Sequence, residues 1–373
     1  MVHNILITGS TGKQGTALIR ALLKPRERVE SRTRESSEAR SDEKAQHEAA
    51  AVTPAGTSRQ QQGDKEYHIY ALTRNISSAT AQKLLSTYGE SISLVQGNLD
   101  DAGSIEQVFR DRRESDGVGF WGVFAVLAFP GLGVAADGEE KQGKMLADMS
   151  LKYGVQAFIY SSSLRAGPKH EHDQKLSSLA KARIEQHCME LGKKGLPWII
   201  LRPSFFLENF DGLIGAISVS VLRTGLKPET AISMVGSEDI GKVAAGIFLD
   251  HSKHIHKVFV LCSDCLTMGQ VEEAHKRALG HAIPAIPNML ASLIIRANGA
   301  TQDLINNLEH VHVSRINGHY PELTREIQLS NEVFPMRSYH DWLLREKDDA
   351  ISNADMGKEW NGVSIIKLLT GRL

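Results

Sequence analysis

Cysteine is scarce in this chain, with three residues in 373. So few thiols cannot build a disulfide framework, and the sequence points to a reducing compartment. The cytoplasm is the expectation, with the nucleus as the alternative for a regulator. An excess of one charge is also missing: 43 Lys and Arg face 44 Asp and Glu, for a net charge of −1. A surface that coats nucleic acid needs a basic excess, so direct nucleic-acid binding is not expected. The N-terminus lacks a basic region followed by a long apolar one, which predicts no secretory leader. No membrane span is expected either. Gly119 to Ala136 is uncharged, but Pro130, Gly131 and Gly133 interrupt it, so it reads as a buried strand and loop. Finally, Pro25 to Glu66 contains no Leu, Ile, Met or aromatic residue. Such a segment cannot bury enough apolar surface to offset its ordering entropy, and it reads as a disordered surface insertion.

Against those absences stands one well-formed opening. Asn4-Ile5-Leu6-Ile7-Thr8 is a short apolar run rich in β-branched residues. Gly9-Ser10-Thr11-Gly12-Lys13-Gln14-Gly15 follows at once, and Thr16 to Leu23 carries apolar residues at helical spacing. Strand, glycine turn and helix open a dinucleotide-binding fold. Gly9 suits the tight turn, Gly12 a close backbone approach to a pyrophosphate, and Gly15 close helix–strand packing. The helix N-terminus offers free N–H groups and a positive dipole end to the phosphates.

Order resumes at Tyr67 to Thr73, a second strand that ends in Thr73-Arg74-Asn75. NAD-specific folds place an acidic residue at this strand end. A guanidinium there suits a 2′-phosphate instead, so Arg74 argues for NADP. Strands are then expected at Ser91–Gly97, Trp121–Phe129, Ala157–Ser163 and Trp198–Pro203. Helices fall between them at Ala79–Tyr88, Ser104–Arg110, Lys141–Lys152 and Lys175–Leu191. Asp100 or Asp101 is the candidate cap of the second of these helices. This alternation implies an α/β fold, a doubly wound parallel sheet of Rossmann type. The length suits two domains. We expect a dinucleotide-binding domain over residues 1–202 and a smaller substrate or partner domain over 203–373. The latter holds an aromatic-rich loop at Ser204–Phe210, a late strand at Val258–Leu261 and a helix at Met268–Leu279 capped by Thr267.

Several motifs together resemble the NmrA-like family, an atypical branch of the short-chain dehydrogenase/reductases. They are Thr8 to Gly15, Thr73-Arg74-Asn75, Gln96 to Asp101, Lys141-Gln142-Gly143-Lys144, Ile159 to Ser162, and Leu201 to Phe210. The tryptophan segment near Trp342 is also similar. The resemblance implies a Rossmann-type NADP(H)-binding domain with a small α/β domain beside it. It places the pyrophosphate on Gly9, Ser10, Thr11, Gly12, Lys13 and Gln14, and the 2′-phosphate by Arg74 and Asn75. It places the adenine by Asn98 and Leu99, and the ribose by Leu127, Ala128 and Phe129. Lys144 and Lys181 would approach the ribose and nicotinamide, and Phe206, Leu207, Glu208 and Asn209 would line the pocket.

One departure from the wider superfamily matters. The Tyr of the Y-x-x-x-K pair is absent, because Ser177 stands four residues before Lys181. Lys181 is then the candidate catalytic acid, as in isoflavone-reductase-like relatives; Tyr160, Ser162 and Ser163 are weaker alternatives. The resemblance implies an NADP-dependent oxidoreductase with a small-molecule substrate, of the kind found in fungal-type secondary metabolism. Its alternative is a redox sensor that binds NAD(P) without turnover and grips a transcription factor or other protein. No metal site is expected. Cys262-Ser263-Asp264-Cys265 lacks a second ligand pair, and the histidines at 170, 172, 251, 254 and 256 sit in lysine-containing loops that read as solvated.

Overall fold

A computed structural model describes residues 2–23 and 66–344. The expected insertion at Pro25–Glu66 therefore lies outside the described residues, apart from Glu66.

The strands are β1 (His3–Ile7), β2 (Tyr67–Thr73), β3 (Ile92–Gln96), β4 (Gly122–Ala125), β5 (Ala157–Ser161), β6 (Trp198–Pro203), β7 (Phe205–Phe206), β8 (Ala231–Val235), β9 (Val258–Leu261) and β10 (Asp264–Thr267). The helices of the first half are α1 (Lys13–Leu22), α2 (Ala79–Tyr88), α3 (Ala102–Asp116), α4 (Asp137–Lys152) and α5 (Leu176–Gly192). Those of the second half are α6 (Gly212–Gly225), α7 (Ser237–Leu249), α8 (Met268–Leu279), α9 (Asn288–Ala297), α10 (Gly299–Ile316) and α11 (Leu323–Val333).

β1 is all but solvent-free because Ile5, Leu6 and Ile7 alternate between two buried faces, as a central parallel strand requires. The large sheet runs in the order β3-β2-β1-β4-β5-β6-β9, and every pair in it is parallel. The strand order reverses between β1 and β4, which is where such sheets open a ligand crevice. One face is filled by Ile5, Ile7, Leu18, Ile19, Phe124 and Phe248, with α1 and α7 packed side by side. The other is filled by Leu6, Val123, Phe158, Tyr160, Ile184 and Leu146, under α4 and α5.

Three differences from the sequence reading stand out. β4 ends at Ala125, four residues before the expected Phe129. Beyond it, Gly131 and Gly133 take positive φ, and the chain turns away from the sheet. Secondly, the aromatic loop after β6 contains the short strand β7. With β8 and β10 it forms a second sheet, in the order β10-β8-β7. Thirdly, residues on both sides of position 202 build the large sheet, since β9 pairs with β6 and α7 packs on α1. The chain crosses between sheets at Ser204 and again at Cys262–Ser263. These crossings are stitched by Ser204 N donating to Leu261 O (3.0 Å) and Ser263 N donating to Met234 O (2.7 Å). The second core gathers Leu207, Ile217, Leu222, Ile232, Met234 and Trp342.

Candidate functional site

The C-terminal ends of parallel strands share one edge, and the predicted residues fall along it. At the switch point Thr8 braces β1 to the segment after β4: its hydroxyl donates to Val126 O and accepts from Val126 N, both at 2.8 Å. Gly9 follows with φ +58°, a conformation that costs a side-chain-bearing residue dearly. A Cβ on Gly15 would lie 2.3 Å from Gly9 O and 2.7 Å from Ser10 Cα, so only glycine lets the helix start this close to the turn. Gly12 is the N-cap of α1, with no side chain capping it and no acidic residue in the first turn. The helix therefore presents backbone N–H groups and a positive dipole end with no competing carboxylate. Ser10 is turned inward, its hydroxyl donating to Leu72 O at 2.9 Å. Gln14 accepts from Ser161 Oγ at 2.6 Å, which ties the start of α1 to the end of β5. Thr11 is exposed.

Arg74 stands exposed at the tip of β2, and its guanidinium has no partner among the described residues. The turn beneath it is fixed locally: Asn75 N donates to Thr73 Oγ1 (3.2 Å), and Asn75 Oδ1 accepts from Ser77 N (2.9 Å). After β3, Asn98 is exposed and holds its own turn by accepting from Asp100 N at 3.2 Å. Leu99 packs against the core, and Asp101 caps α3. Past β4, Leu127 is buried, while Ala128 and Phe129 are exposed, Phe129 at 59%. These residues line one edge from β3 to β4. They offer backbone N–H, a guanidinium and two exposed side chains, a donor set that fits a phosphate-bearing dinucleotide.

On the β5 side the arrangement changes. Glu139, near the start of α4, is buried with its side chain 1% exposed. Lys181 Nζ donates to Glu139 Oε1, and Ser177 Oγ donates to Glu139 Oε2 at 2.6 Å. The residue at the superfamily tyrosine position and the candidate catalytic lysine thus meet on one carboxylate. Gly143 makes this meeting possible. A Cβ there would lie 2.5 Å from Ile184 Cδ1, so α4 and α5 could not pack this closely with any side chain. Lys144 is not part of the cluster. Its ammonium sits 2.7 Å from Glu140 Oε1, facing a groove lined by Arg183 and His187 on the outer side of the two helices.

Glu139 was missed in the sequence, although a signal for it exists. Glu139, Gly143, Leu146, Ala147 and Ser150 are the buried residues of α4 and share one helical face, which sets Glu139 apart from Glu140. Tyr160, expected as a weaker alternative acid, is excluded from that work by burial. Its ring is 0% exposed, its hydroxyl meets no hydrogen-bond partner among the described residues, and burial pushes the phenol well above its usual range, with Glu139 and Glu185 acting in the same sense. Ser162 is buried as well.

Beyond β6, Phe206 and Asn209 are half-buried. Leu207 is enclosed in the second core. Glu208 Oε1 accepts from Ser237 N (2.8 Å) and Ser237 Oγ (2.5 Å), so it caps α7, while Oε2 is buried and has no hydrogen-bond partner among the described residues. A second buried carboxylate, also missed, holds this region. Glu185 accepts from Arg202 Nη2 at 2.6 Å and pairs with Arg165 Nη2 at 2.8 Å, and Arg202 reaches on to Tyr320. Cys262 and Cys265 are both free thiols. Burial pushes the Cys262 thiol up to about 11, against a redox role for the pair.

A parallel sheet with a glycine-floored helix N-terminus at its switch point defines a Rossmann-like α/β protein. Within that class the chain belongs to the NmrA-like family, whose family model matches residues 59–289. The match begins after the glycine turn, which the fold nevertheless places beside it. Solved structures agree on the fold. NmrA, a negative transcriptional regulator in complex with NADP, is 17% identical with a TM-score of 0.58, over 96% of this chain and 99% of that one. An NADPH-dependent quinone oxidoreductase from Escherichia coli complexed with NADPH is 17% identical at 0.56, over 91% and 99%. Triphenylmethane reductase of Citrobacter sp. is 13% identical at 0.58, over 92% and 98%. No curated protein sequence matches significantly. No described helix is long and apolar enough to cross a membrane.

Proposed function

We propose that this chain binds NADP(H) along the C-terminal edge of its large sheet and works as an NADP-dependent oxidoreductase on a small organic acceptor. The observation that carries the binding is the uncapped N-terminus of α1 at the strand-order reversal, with the exposed Arg74 guanidinium, unpaired among the described residues, at the neighbouring strand tip. Lys13, Gln14 and Gly15 would turn backbone N–H groups to the diphosphate. Arg74 and the Asn75 turn would take the 2′-phosphate, Asn98 and Leu99 the adenine, and Leu127, Ala128 and Phe129 the ribose. When bound, the nicotinamide supplies a hydride to the acceptor. Lys181, anchored by Glu139, keeps N–H groups in hand for the ribose and holds a proton at Nζ for an acceptor oxygen. Phe206 and Asn209 would wall the pocket.

A second reading, a sensor that binds NADP(H) without turnover and grips a protein partner, is favoured by one observation. Ser177 replaces the proton-donating phenol, and its hydroxyl is committed to Glu139. Consumption of NADPH with a panel of quinones, enones and ketones separates the two. The enzyme reading expects turnover that Lys181→Met cuts by at least about a hundredfold while NADPH still binds. NADPH binding without turnover across the panel would leave the sensor. No binding of NADPH would sink both.

A further inference from the structure

From sequence the histidines at 170 and 172 belong to solvent, but the fold lays α10 along the loop between β5 and α5. His310 of α10 stacks on His170 of that loop, with ring centroids 4.3 Å apart and planes 18° apart. Asp173 joins them, accepting from His170 Nδ1 at 3.0 Å. One ligand atom from each of His170, Asp173 and His310 lies within 4.8 Å of the others. We propose that these three residues form a binding site for a divalent metal ion of the zinc class, which pins α10 to the loop between β5 and α5. The site is independent of the cofactor reading.

Two imidazoles and one carboxylate are the donor set that borderline divalent cations prefer, whereas calcium and magnesium demand mostly oxygen. Metal–nitrogen bonds of about 2.0–2.1 Å in a tetrahedral site put ligand atoms about 3.3 Å apart, so the cluster must close by roughly 1.5 Å. Side-chain rotation covers that distance, because His170 and His310 are half-buried and Asp173 is exposed. His170 is also not fully engaged: its Nε2 is buried and meets no hydrogen-bond partner among the described residues. Three protein ligands would leave one position for water or a further ligand.

The objection to a metal here is lysine, and the structure answers it. Lys169 turns its ammonium to His319 Nε2 at 3.4 Å, and Lys175 turns its own to Asp303 Oδ1 at 3.4 Å. These two contacts also fasten the loop to α10 and to the turn that follows it, on either side of the His–Asp–His cluster. Asp303 and His310 are seven residues apart, two turns on the same helical face. At the start of the loop a Cβ on Gly167 would lie 2.8 Å from Tyr320 Cβ, so this end is docked by close backbone approach. The ligands are therefore brought together by the fold before any ion arrives, which lowers the cost of binding.

The test uses the metal-stripped full chain titrated with Zn2+ by calorimetry, with Co2+ absorption as a second readout. One saturable equivalent per chain is expected, together with a rise in the unfolding midpoint on Zn2+ addition. His170→Ala, His310→Ala and Asp173→Asn should each weaken binding by at least about tenfold. Asp173→Asn keeps the size of the side chain and opens no cavity, so its loss of affinity reports the lost carboxylate. His187→Ala removes a different His–Asp pair, with Asp148 at 2.8 Å, and should change nothing. No saturable single-site event in the wild-type chain would overturn the proposal. So would a His170→Ala/His310→Ala double variant that binds Zn2+ as the wild type does.

Discussion

At the tip of β2, Arg74 carries a guanidinium with no partner among the described residues, whereas Arg202 in β6 and Arg165 after β5 both close on the buried Glu185. The same contrast runs through the whole edge of the sheet. From β1 to β4 the structure leaves donors available: an uncapped helix start, an exposed arginine, and turns held by their own Thr and Asn side chains. From β5 onward charged groups are consumed in pairs: Lys181 and Ser177 on Glu139, Arg202 and Arg165 on Glu185, Ser237 on Glu208, and Arg337 on Asp239 at 2.8 Å. The first region offers the donors that a phosphate group would use. The second fastens neighbouring helices, strands and loops to one another, and any chemistry it performs must use what those pairs leave over.

The sharpest way to break the comparison is to remove a counter-charge from the paired side. Glu185→Gln leaves two arginines facing a neutral group in a site where the original side chain is 1% exposed. We expect a loss of about 3–5 kcal/mol in urea unfolding. A loss below about 1 kcal/mol would show that the network is not a structural tie. On the open side, Gly15→Ala forces a methyl to within 2.3 Å of Gly9 O. The turn must shift, and NADPH affinity should fall at least about tenfold, about 1.4 kcal/mol, in a calorimetric titration. Unchanged affinity would mean that the turn does not touch the cofactor.

The smallest expected effect concerns pH. His312 is held below its ordinary range by burial first and by Arg315 second, and its Nδ1 accepts from Ala231 N at 3.2 Å. A folded-state pKa depressed below the ordinary histidine value of 6.5 gives stability that is present above pH 6.5 and lost as pH falls beneath it. Protonation would also break the bond from Ala231. The unfolding midpoint should drop between pH 7.5 and 5.5, and His312→Gln should flatten that slope by an amount on the order of 1 kcal/mol or less. An identical slope in the variant would move the titration to another histidine.

The contrast also explains what could be read from the sequence. β1, the glycine turn, α1 and Arg74 are contiguous, so periodicity and spacing expose them. The alternation through β6 was legible for the same reason, and so was the Thr267 cap, which the structure completes as a capping box with Gln270. β7 and β8 were not legible. β7 is two residues long, and β8 has no alternation because all five of its residues are buried. The pairs on the far side were hidden by separation in sequence. Glu139 meets its partners 38 and 42 residues later, and His310 meets His170 only because α10 folds back across the loop after β5. Local sequence reports a surface that waits for a ligand better than it reports one that satisfies itself.

The most direct measurement is titration of the purified chain with NADPH and with NADH, repeated on Arg74→Ala. We predict that the wild-type chain prefers NADPH, and that the variant loses at least about tenfold in NADPH affinity while NADH affinity stays within about twofold. No heat with NADPH, or a preference that survives loss of the guanidinium, would contradict the assignment of this edge to a 2′-phosphorylated dinucleotide.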